Sequence, residues 1–344
     1  MEYFSVQWHI TDMCDQRCKH CYIFSENNNK CIAEMKENEI FETLQEIKDM
    51  CDKMGKKPYL YLTGWDPILH PDFWQLLEKL KEDTIPFTIM WNPFHLNDNV
   101  CKKLKEFWCD KYQMSIDWLE ETHDRFRKPW SFKTTLEKIE SINNAWIKSV
   151  IMTTVSWTNI KEIPEIIDLV VKHKVRIFAF ARYCPTSEEK DVWIEPLEYR
   201  KLLDTCRKRY KKHIKNNCIT KFSLKDHLRK LYLYEEWLYK IPENMKEGFV
   251  YDWCHCWRGH ITILPNKDVY ACRRMESKVW NLNENHLYDI WISQKMNEYR
   301  QYNKFVKCSK CELFMLCRWC PAVVKWLTWN MYNADPQCWK EINF

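Results

Sequence analysis

The sequence predicts an α/β fold: an open, barrel-like parallel sheet of six β/α units, followed by a smaller cysteine-rich region. Three observations carry this. Strand-like and helix-like segments alternate from residue 3 to residue 183, the pattern of parallel strands joined by right-handed helical crossovers. Six units are too few for a closed eight-fold barrel. Of 18 cysteines, three crowd into residues 14–21 and eight into residues 254–338. With 46% hydrophobic residues in 344, the chain can bury a sizeable core.

The elements follow in order. "YFSVQWHI" (3–10) reads as a strand, and "MKENEIFETLQEIKDMCDKM" (35–54) has helical apolar spacing. "KPYLYLTG" (57–64), "FTIMW" (87–91), "KYQMSID" (111–117), "KSVIMTTVS" (148–156) and "VRIFAFARY" (175–183) read as strands. Between them "PDFWQLLEKLKED" (71–83), "NDNVCKKLKEFW" (97–108), "SFKTTLEKIESINNAW" (131–146) and "IKEIPEIIDLVVKH" (160–173) read as helices. The expected organisation is a core over 1–215, a charged helical connector over 216–249 and the cysteine-rich region over 250–344.

Composition excludes several classes. A net charge of +5 with 29% charged residues is not the footprint of a nucleic-acid binder. There is no apolar run of about 18 residues, so no transmembrane helix is expected. "MEYFSVQWHITDMC" has no basic stretch followed by an apolar one, so no signal peptide is visible and the expected location is the cytoplasm. In a reducing compartment, clustered cysteines bind metal or catalyse. The scattered Cys31, Cys51, Cys101, Cys109, Cys184, Cys206 and Cys218 read as small buried hydrophobes.

Cys14, Cys18 and Cys21 follow the first strand with C-x3-C-x2-C spacing. Ligands of parallel sheets bind at the carboxyl ends of strands. Structural zinc takes four ligands, commonly in pairs. Three thiolates with no evident fourth partner fit a [4Fe–4S] cluster whose open iron takes a substrate or cofactor. A zinc loop completed by His9 or His20 is the alternative. The second field holds Cys254, Cys256, Cys272, Cys308, Cys311, Cys317, Cys320 and Cys338. Eight thiolates make two four-ligand sites, and spacing alone does not separate zinc from iron–sulfur.

"CDQRCKHCY" (14–22) resembles the cluster loop of radical S-adenosylmethionine (SAM) enzymes, with His20 where an aromatic is usual. "LTGWDPILHPDF" (62–73) looks like the stretch that binds the SAM amino group, which implies cofactor contacts from Gly64, Trp65, Asp66 and Pro67. "SIDWLEETHDRFR" (115–127) and "TTVSWTN" (153–159) look like later strand ends of the family. They imply SAM contacts from Ser115, Asp117 and Asn159; loop capping is the structural alternative. The block from 254 resembles the SPASM extension of peptide-modifying members. It implies a TIM-like partial (β/α)6 barrel followed by two auxiliary [4Fe–4S] clusters. Cys254, Cys256, Cys272 and Cys320 would hold one, and Cys308, Cys311, Cys317 and Cys338 the other.

The resemblance further implies reductive cleavage of SAM to a 5′-deoxyadenosyl radical and a peptide or protein substrate, such as a ribosomally made precursor. It also implies an electron donor such as flavodoxin or ferredoxin, and leaves room for a separate leader-binding protein. Arg182 and Tyr183, at the end of the sixth strand, become candidate catalytic groups. Arg273 stands where sulfatase maturases carry an aspartate base, which argues against formylglycine formation. A non-catalytic zinc or electron-transfer protein is the reading of another class. The open-site loop opposes it, because electron carriers ligate every iron.

Glycine occurs 4 times and tryptophan 19 times, against an ordinary glycine usage of about 7%. Trp65, Trp118, Trp280 and Trp319 fall at or near glycine positions of the family, and Lys267 falls at another. A bulky residue at positive φ is an outlier. The pattern implies UGA codons that the organism reads as glycine; UGG at those codons contradicts it.

Overall fold

The computed structural model describes residues 2–16, 18–19, 21, 33–64, 66–184, 193–223, 225–245, 251, 256–317 and 320–341. The alternation is present as expected. In order come β1 (Tyr3–His9), α1 (Glu37–Lys53), β2 (Lys57–Thr63), α2 (Phe73–Glu82), β3 (Phe87–Met90), α3 (Asp98–Glu106), β4 (Cys109–Ser115) and α4 (Glu120–Phe126). Then come α5 (Ser131–Asn144), β5 (Lys148–Val155), α6 (Ile163–Lys172), β6 (Ile177–Arg182), α7 (Pro196–Lys215), β7 (Lys221–Phe222) and α8 (Leu228–Glu235). Last are β8 (His260–Ile263), β9 (Asp268–Tyr270), β10 (Lys278–Asn281), α9 (Leu287–Ile292), α10 (Gln294–Glu298), α11 (Phe314–Cys317) and α12 (Pro321–Thr328).

The chain divides into two compact units. The first comprises 1–115, 120–150 and 255–300, and its strands run in the order β10-β9-β8-β1-β2-β3-β4. β1 pairs in parallel with β2, from Tyr3 opposite Lys57 to His9 opposite Thr63. Its other edge pairs in parallel with β8, Ser5 opposite His260. Part of the cysteine-rich region is therefore sheet partner to the first strand. Alternate residues explain β1: Phe4, Val6 and Trp8 are fully buried. α1 buries Ile40, Leu44, Ile47 and Cys51, a stripe at three- and four-residue spacing. The second unit comprises 116–119, 151–254 and 301–344. It holds most of β5, then β6 and β7, the last two parallel with Ile177 opposite Lys221.

Backbone geometry corrects the glycine reading in place and strengthens it in kind. Trp118 and Trp280 do not take positive φ, and Trp65 and Trp319 lie outside the described residues. Lys267 does, at φ 64°. Six other tryptophans do so as well: Trp108, Trp130, Trp146, Trp237, Trp257 and Trp329, with φ between 55° and 69°. Among the scattered cysteines, Cys51, Cys101, Cys109, Cys184 and Cys206 are buried and Cys218 is half-buried, while Cys31 lies outside the described residues.

Candidate active site

The three-cysteine loop leaves the carboxyl end of β1. Thr11 Oγ1 accepts from Met13 N at 3.0 Å, Cys14 Sγ accepts from Gln16 N at 3.2 Å, and Cys21 N donates to Cys18 O at 3.1 Å. Lys19 N donates to Phe126 O, which ties the loop to the end of α4. Burial pushes the Cys14 thiol up to about 12, and nearby Cys18 and Cys21 push the same way. The Cys14 thiol so raised becomes a thiolate only when metal binds it. His9 is buried, and that burial, reinforced by Arg273, holds its ring well below the usual imidazole range. His20 lies outside the described residues.

Beside this loop runs the end of β2. Gly64 has φ 121°, and a Cβ there would stand 2.4 Å from Thr11 O. Only glycine lets the two loops approach so closely. Asp66 N then donates to Met13 O, and Asp66 Oδ1 caps the short turn Pro67–Leu69 by accepting from Ile68 N at 3.3 Å. Asp66 is fully buried, and burial raises its carboxyl to about 8. Its Oδ2 lies 3.5 Å from His95 Nε2, which is also 3.5 Å from Asp15 Oδ2. Asn92 Nδ2 donates to Asp15 Oδ1 at 3.1 Å. Sequence reading missed Asp15, Asn92 and His95, because their loops meet only once the sheet forms. Pro67 is buried, Ser115 is half-buried at the end of β4, and Trp65 lies outside the described residues.

In the second unit, Asp117 and Asn159 form a backbone clamp. Asp117 Oδ1 accepts from Thr154 N at 2.7 Å. Asn159 Nδ2 donates to Asp117 O and Thr154 O, and Asn159 Oδ1 accepts from Ser156 N. Asn159 thus spends both amide hydrogens and its oxygen on backbone, the loop-capping role. Arg182 is buried, with its guanidinium held by Asp226 and Asp335 rather than facing solvent. Tyr183 is half-buried, and its N–H donates to Val155 O at 2.7 Å.

Cys308, Cys311, Cys317 and Cys338 line one pocket, walled by Leu228, Leu231, Leu313 and Phe314 and edged by Lys307, Lys340 and Asp335. Burial raises all four thiols, and those of Cys308 and Cys317 are raised further by their cysteine neighbours. The one set of three His, Cys, Asp or Glu ligand atoms lying within 4.8 Å of one another, among the described residues, is Asp15, Asp66 and His95. Four cysteines lining one pocket are the donor set of a four-thiolate iron–sulfur cluster. Cys256 (half-buried) and Cys272 (buried) belong to the first unit and buried Cys320 to the second, while Cys254 lies outside the described residues. No helix among the described residues is long and apolar enough to cross a membrane.

A parallel α/β sheet with a three-thiolate loop at the end of its first strand defines a radical SAM protein, and residues 8–170 match the Radical SAM superfamily. Residues 254–312 match SPASM, an iron–sulfur cluster-binding domain, so the chain belongs to the SPASM-bearing radical SAM enzymes. Its cofactors are [4Fe–4S] clusters and SAM. It is 26% identical over 251 residues to the Fe-coproporphyrin III synthase of Methanosarcina barkeri, covering 71% of this chain and 61% of that one. It is 24% identical over 348 residues to an AdoMet-dependent heme synthase of the same organism, covering 97% and 95%. The structure of Streptococcus suis SuiB bound to precursor peptide SuiA shares the fold, with TM-score 0.72 and 17% identity over 99% of this chain and 75% of that one.

Gly64→Ala is expected to cut SAM cleavage about a hundredfold, because it displaces the Thr11 segment that leads into the three-cysteine loop. Gly55→Ala is the control. Gly55 also has positive φ, 63°, but nothing lies within 4 Å of the added carbon. Equal loss of cleavage in both variants would mean that strain alone, not the approach to Thr11, matters at Gly64.

Proposed function

We propose that this radical SAM enzyme modifies a side chain of a peptide or protein by hydrogen abstraction. The observation that carries it is the second cysteine pocket, Cys308, Cys311, Cys317 and Cys338, in a chain that shares its fold with a peptide-bound maturase. When bound, the cluster and SAM supply a 5′-deoxyadenosyl radical that takes a hydrogen atom from substrate carbon. The chain's own residues do the rest. Cys14, Cys18 and Cys21 would hold the cluster, and Gly64, Asp66 and Pro67 would shape the methionyl end of SAM. The Asp117–Asn159 clamp fixes the strand ends that Ser115 and Tyr183 extend. Flavodoxin or ferredoxin would supply the electron.

A second reading has its own support. The match to the heme synthase spans 97% of this chain and 95% of that one, so a propionate-bearing tetrapyrrole is the rival substrate. The sulfatase-maturase alternative shares the fold too, with TM-score 0.70 to anSMEcpe bound to AdoMet and Cp18Cys peptide, but Arg273 stands where that resemblance places an aspartate base. Deuterium transfer decides. The reconstituted enzyme is given SAM and dithionite with either deuterated short peptides or an iron coproporphyrin deuterated on its propionates. Label in 5′-deoxyadenosine from peptide supports the proposal; label from the porphyrin alone overturns it.

Asp66 yields a further expectation. Its folded value is raised by burial from 3.8 to about 8. A carboxyl raised in the folded state weakens folding as pH climbs from the unfolded value to the folded one, so the SAM-free protein loses stability between about 4 and 8. Asp66→Asn should remove this pH dependence: the SAM-free variant should lose less stability than the parent between about pH 4 and 8, read by chemical denaturation at each pH, and an equal loss in both would mean that Asp66 is not its source.

A further inference from the structure

We infer that Arg182 is a positioning residue for the Cys308–Cys338 pocket, tying the end of β6 to the Cys338 loop and offsetting the charge of Asp335. This rests on the cluster reading of that pocket. Arg182 Nε is 3.1 Å from Asp226 Oδ2. Nη1 donates to Asp335 Oδ1 at 3.0 Å and to Gln337 Oε1 at 2.9 Å, and Nη2 is 2.8 Å from Asp335 Oδ2. The Arg182–Asp335 contact is thus a buried ion pair anchored by one hydrogen bond, Nη1 to Oδ1, while Nη2 and Oδ2 are close without hydrogen-bond geometry. Their side chains and that of Asp226 are at most 4% exposed. Asp335 in turn holds the ligand loop: its O accepts from Cys338 N at 3.0 Å and its Oδ1 from Gln337 N at 2.9 Å. Gln337 Nε2 reaches Ile194 O at 3.1 Å. Asp335 also lines the pocket itself. A buried carboxylate beside four thiolates opposes any added electron, and the guanidinium cancels it. Arg182 is committed to these partners, so its role is not to meet a substrate carboxylate.

The test is a redox titration of the reconstituted holoenzyme followed by electron paramagnetic resonance. The pocket's signal is the one lost in Cys317→Ala. Asp335→Asn should move its midpoint to more positive potential and Arg182→Met to more negative. Arg182→Met/Asp335→Asn should return it toward the parent, and Tyr199→Phe, which alters packing beside Arg182 without altering charge, should leave it in place. If Arg182→Met fails to fold, Asp335→Asn alone decides. An unmoved midpoint in Asp335→Asn, with the parent signal present, overturns the inference. A parent without iron in this pocket overturns the cluster reading, and the inference falls with it.

A different observation carries a second inference: tryptophans at left-handed positions are glycines in the native protein. Ten described residues other than glycine take positive φ, and six are tryptophan, though tryptophan is 19 of 344 residues. Trp146 and Trp237 complete Schellman ends of helices. Trp146 N donates to Asn143 O and Ile147 N to Ile142 O; Trp237 N donates to Tyr234 O and Leu238 N to Leu233 O. Glycine is the usual residue there, and Gly55 fills the same place after α1, with Gly55 N donating to Asp52 O and Lys56 N to Cys51 O. At five of the six no packing compensates, Trp108, Trp130, Trp146, Trp237 and Trp329 being 53% to 90% exposed; Trp257, 1% exposed and stacked on Tyr299 at 5.5 Å, is packed and stands outside this group. Trp8, which is fully buried, and Trp291, edge-on to Phe4 at 4.8 Å, are true tryptophans by the same logic. Codons and native peptide masses test it. UGA and glycine mass at the left-handed positions, with UGG at Trp8 and Trp291, is expected. UGG at Trp108, Trp146 and Trp237 overturns it.

Discussion

The five-fold variant Trp108→Gly, Trp130→Gly, Trp146→Gly, Trp237→Gly, Trp329→Gly unfolds at higher denaturant than the chain as written, each replacement contributing about 1 kcal/mol. Left-handed backbone costs an L-residue about 1–2 kcal/mol, because Cβ crowds the following carbonyl. Glycine escapes this but gives back a few tenths through its freer unfolded chain. The exposed indoles, 53% to 90% accessible, lose little burial when removed. Five such sites sum to about 5 kcal/mol, comparable with the whole net stability of an ordinary domain. The sites lie far apart in sequence, at different helix ends, so the gains should nearly add. Trp8→Gly must go the other way, losing about 3–5 kcal/mol, since it empties a fully buried core position. Chemical denaturation of the single and combined variants checks this. If Trp146→Gly is neutral or destabilising, strain at the Schellman end is not what distinguishes these residues.

The same residues show what was legible in the sequence and what was not. The core strands and helices were, because period-two and period-3.6 patterns are local and strong. β1 and α5 lie within two residues of where the pattern places them. α4 was missed because seven residues, Glu120–Phe126, are too short for a periodic signal. The cysteine clusters were legible because thiolate spacing is itself the chemistry. Arg182 was noticed but its role was not. Its partners Asp226 and Asp335 lie 44 and 153 residues away, and nothing local announces a buried ion-pair network. The pairing of β8 with β1 is equally nonlocal. Family glycine positions located strain wrongly at Trp118 and Trp280, because near a motif is not the same as at a left-handed φ. Helix ends locate it better, since the residue after a C-cap has that geometry whatever the family.

Cys14→Ala abolishes SAM cleavage and Cys317→Ala spares it, while each variant loses about four of about twelve irons. The parent reconstituted with iron and sulfide should hold about twelve irons, four per cluster. Cys14 lies in a loop that offers three sulfurs for a cluster with an open iron, so removing one leaves too few ligands. Iron then falls to about eight and 5′-deoxyadenosine formation drops to background. Cys317 lines the pocket, where burial and the neighbouring thiols Cys338, Cys311 and Cys308 raise it well above an ordinary thiol. Its thiolate exists only when metal balances that charge, so removing it costs the pocket its cluster, again about four irons. SAM cleavage survives in that variant, because Cys14, Cys18 and Cys21 belong to the other unit, but substrate turnover fails if the pocket carries electrons away from the substrate radical. Iron analysis and product chromatography on the two variants read both effects. Zinc in the pocket with unchanged cleavage and turnover would make it a structural site, and loss of cleavage in Cys317→Ala would show that the two sites do not assemble independently.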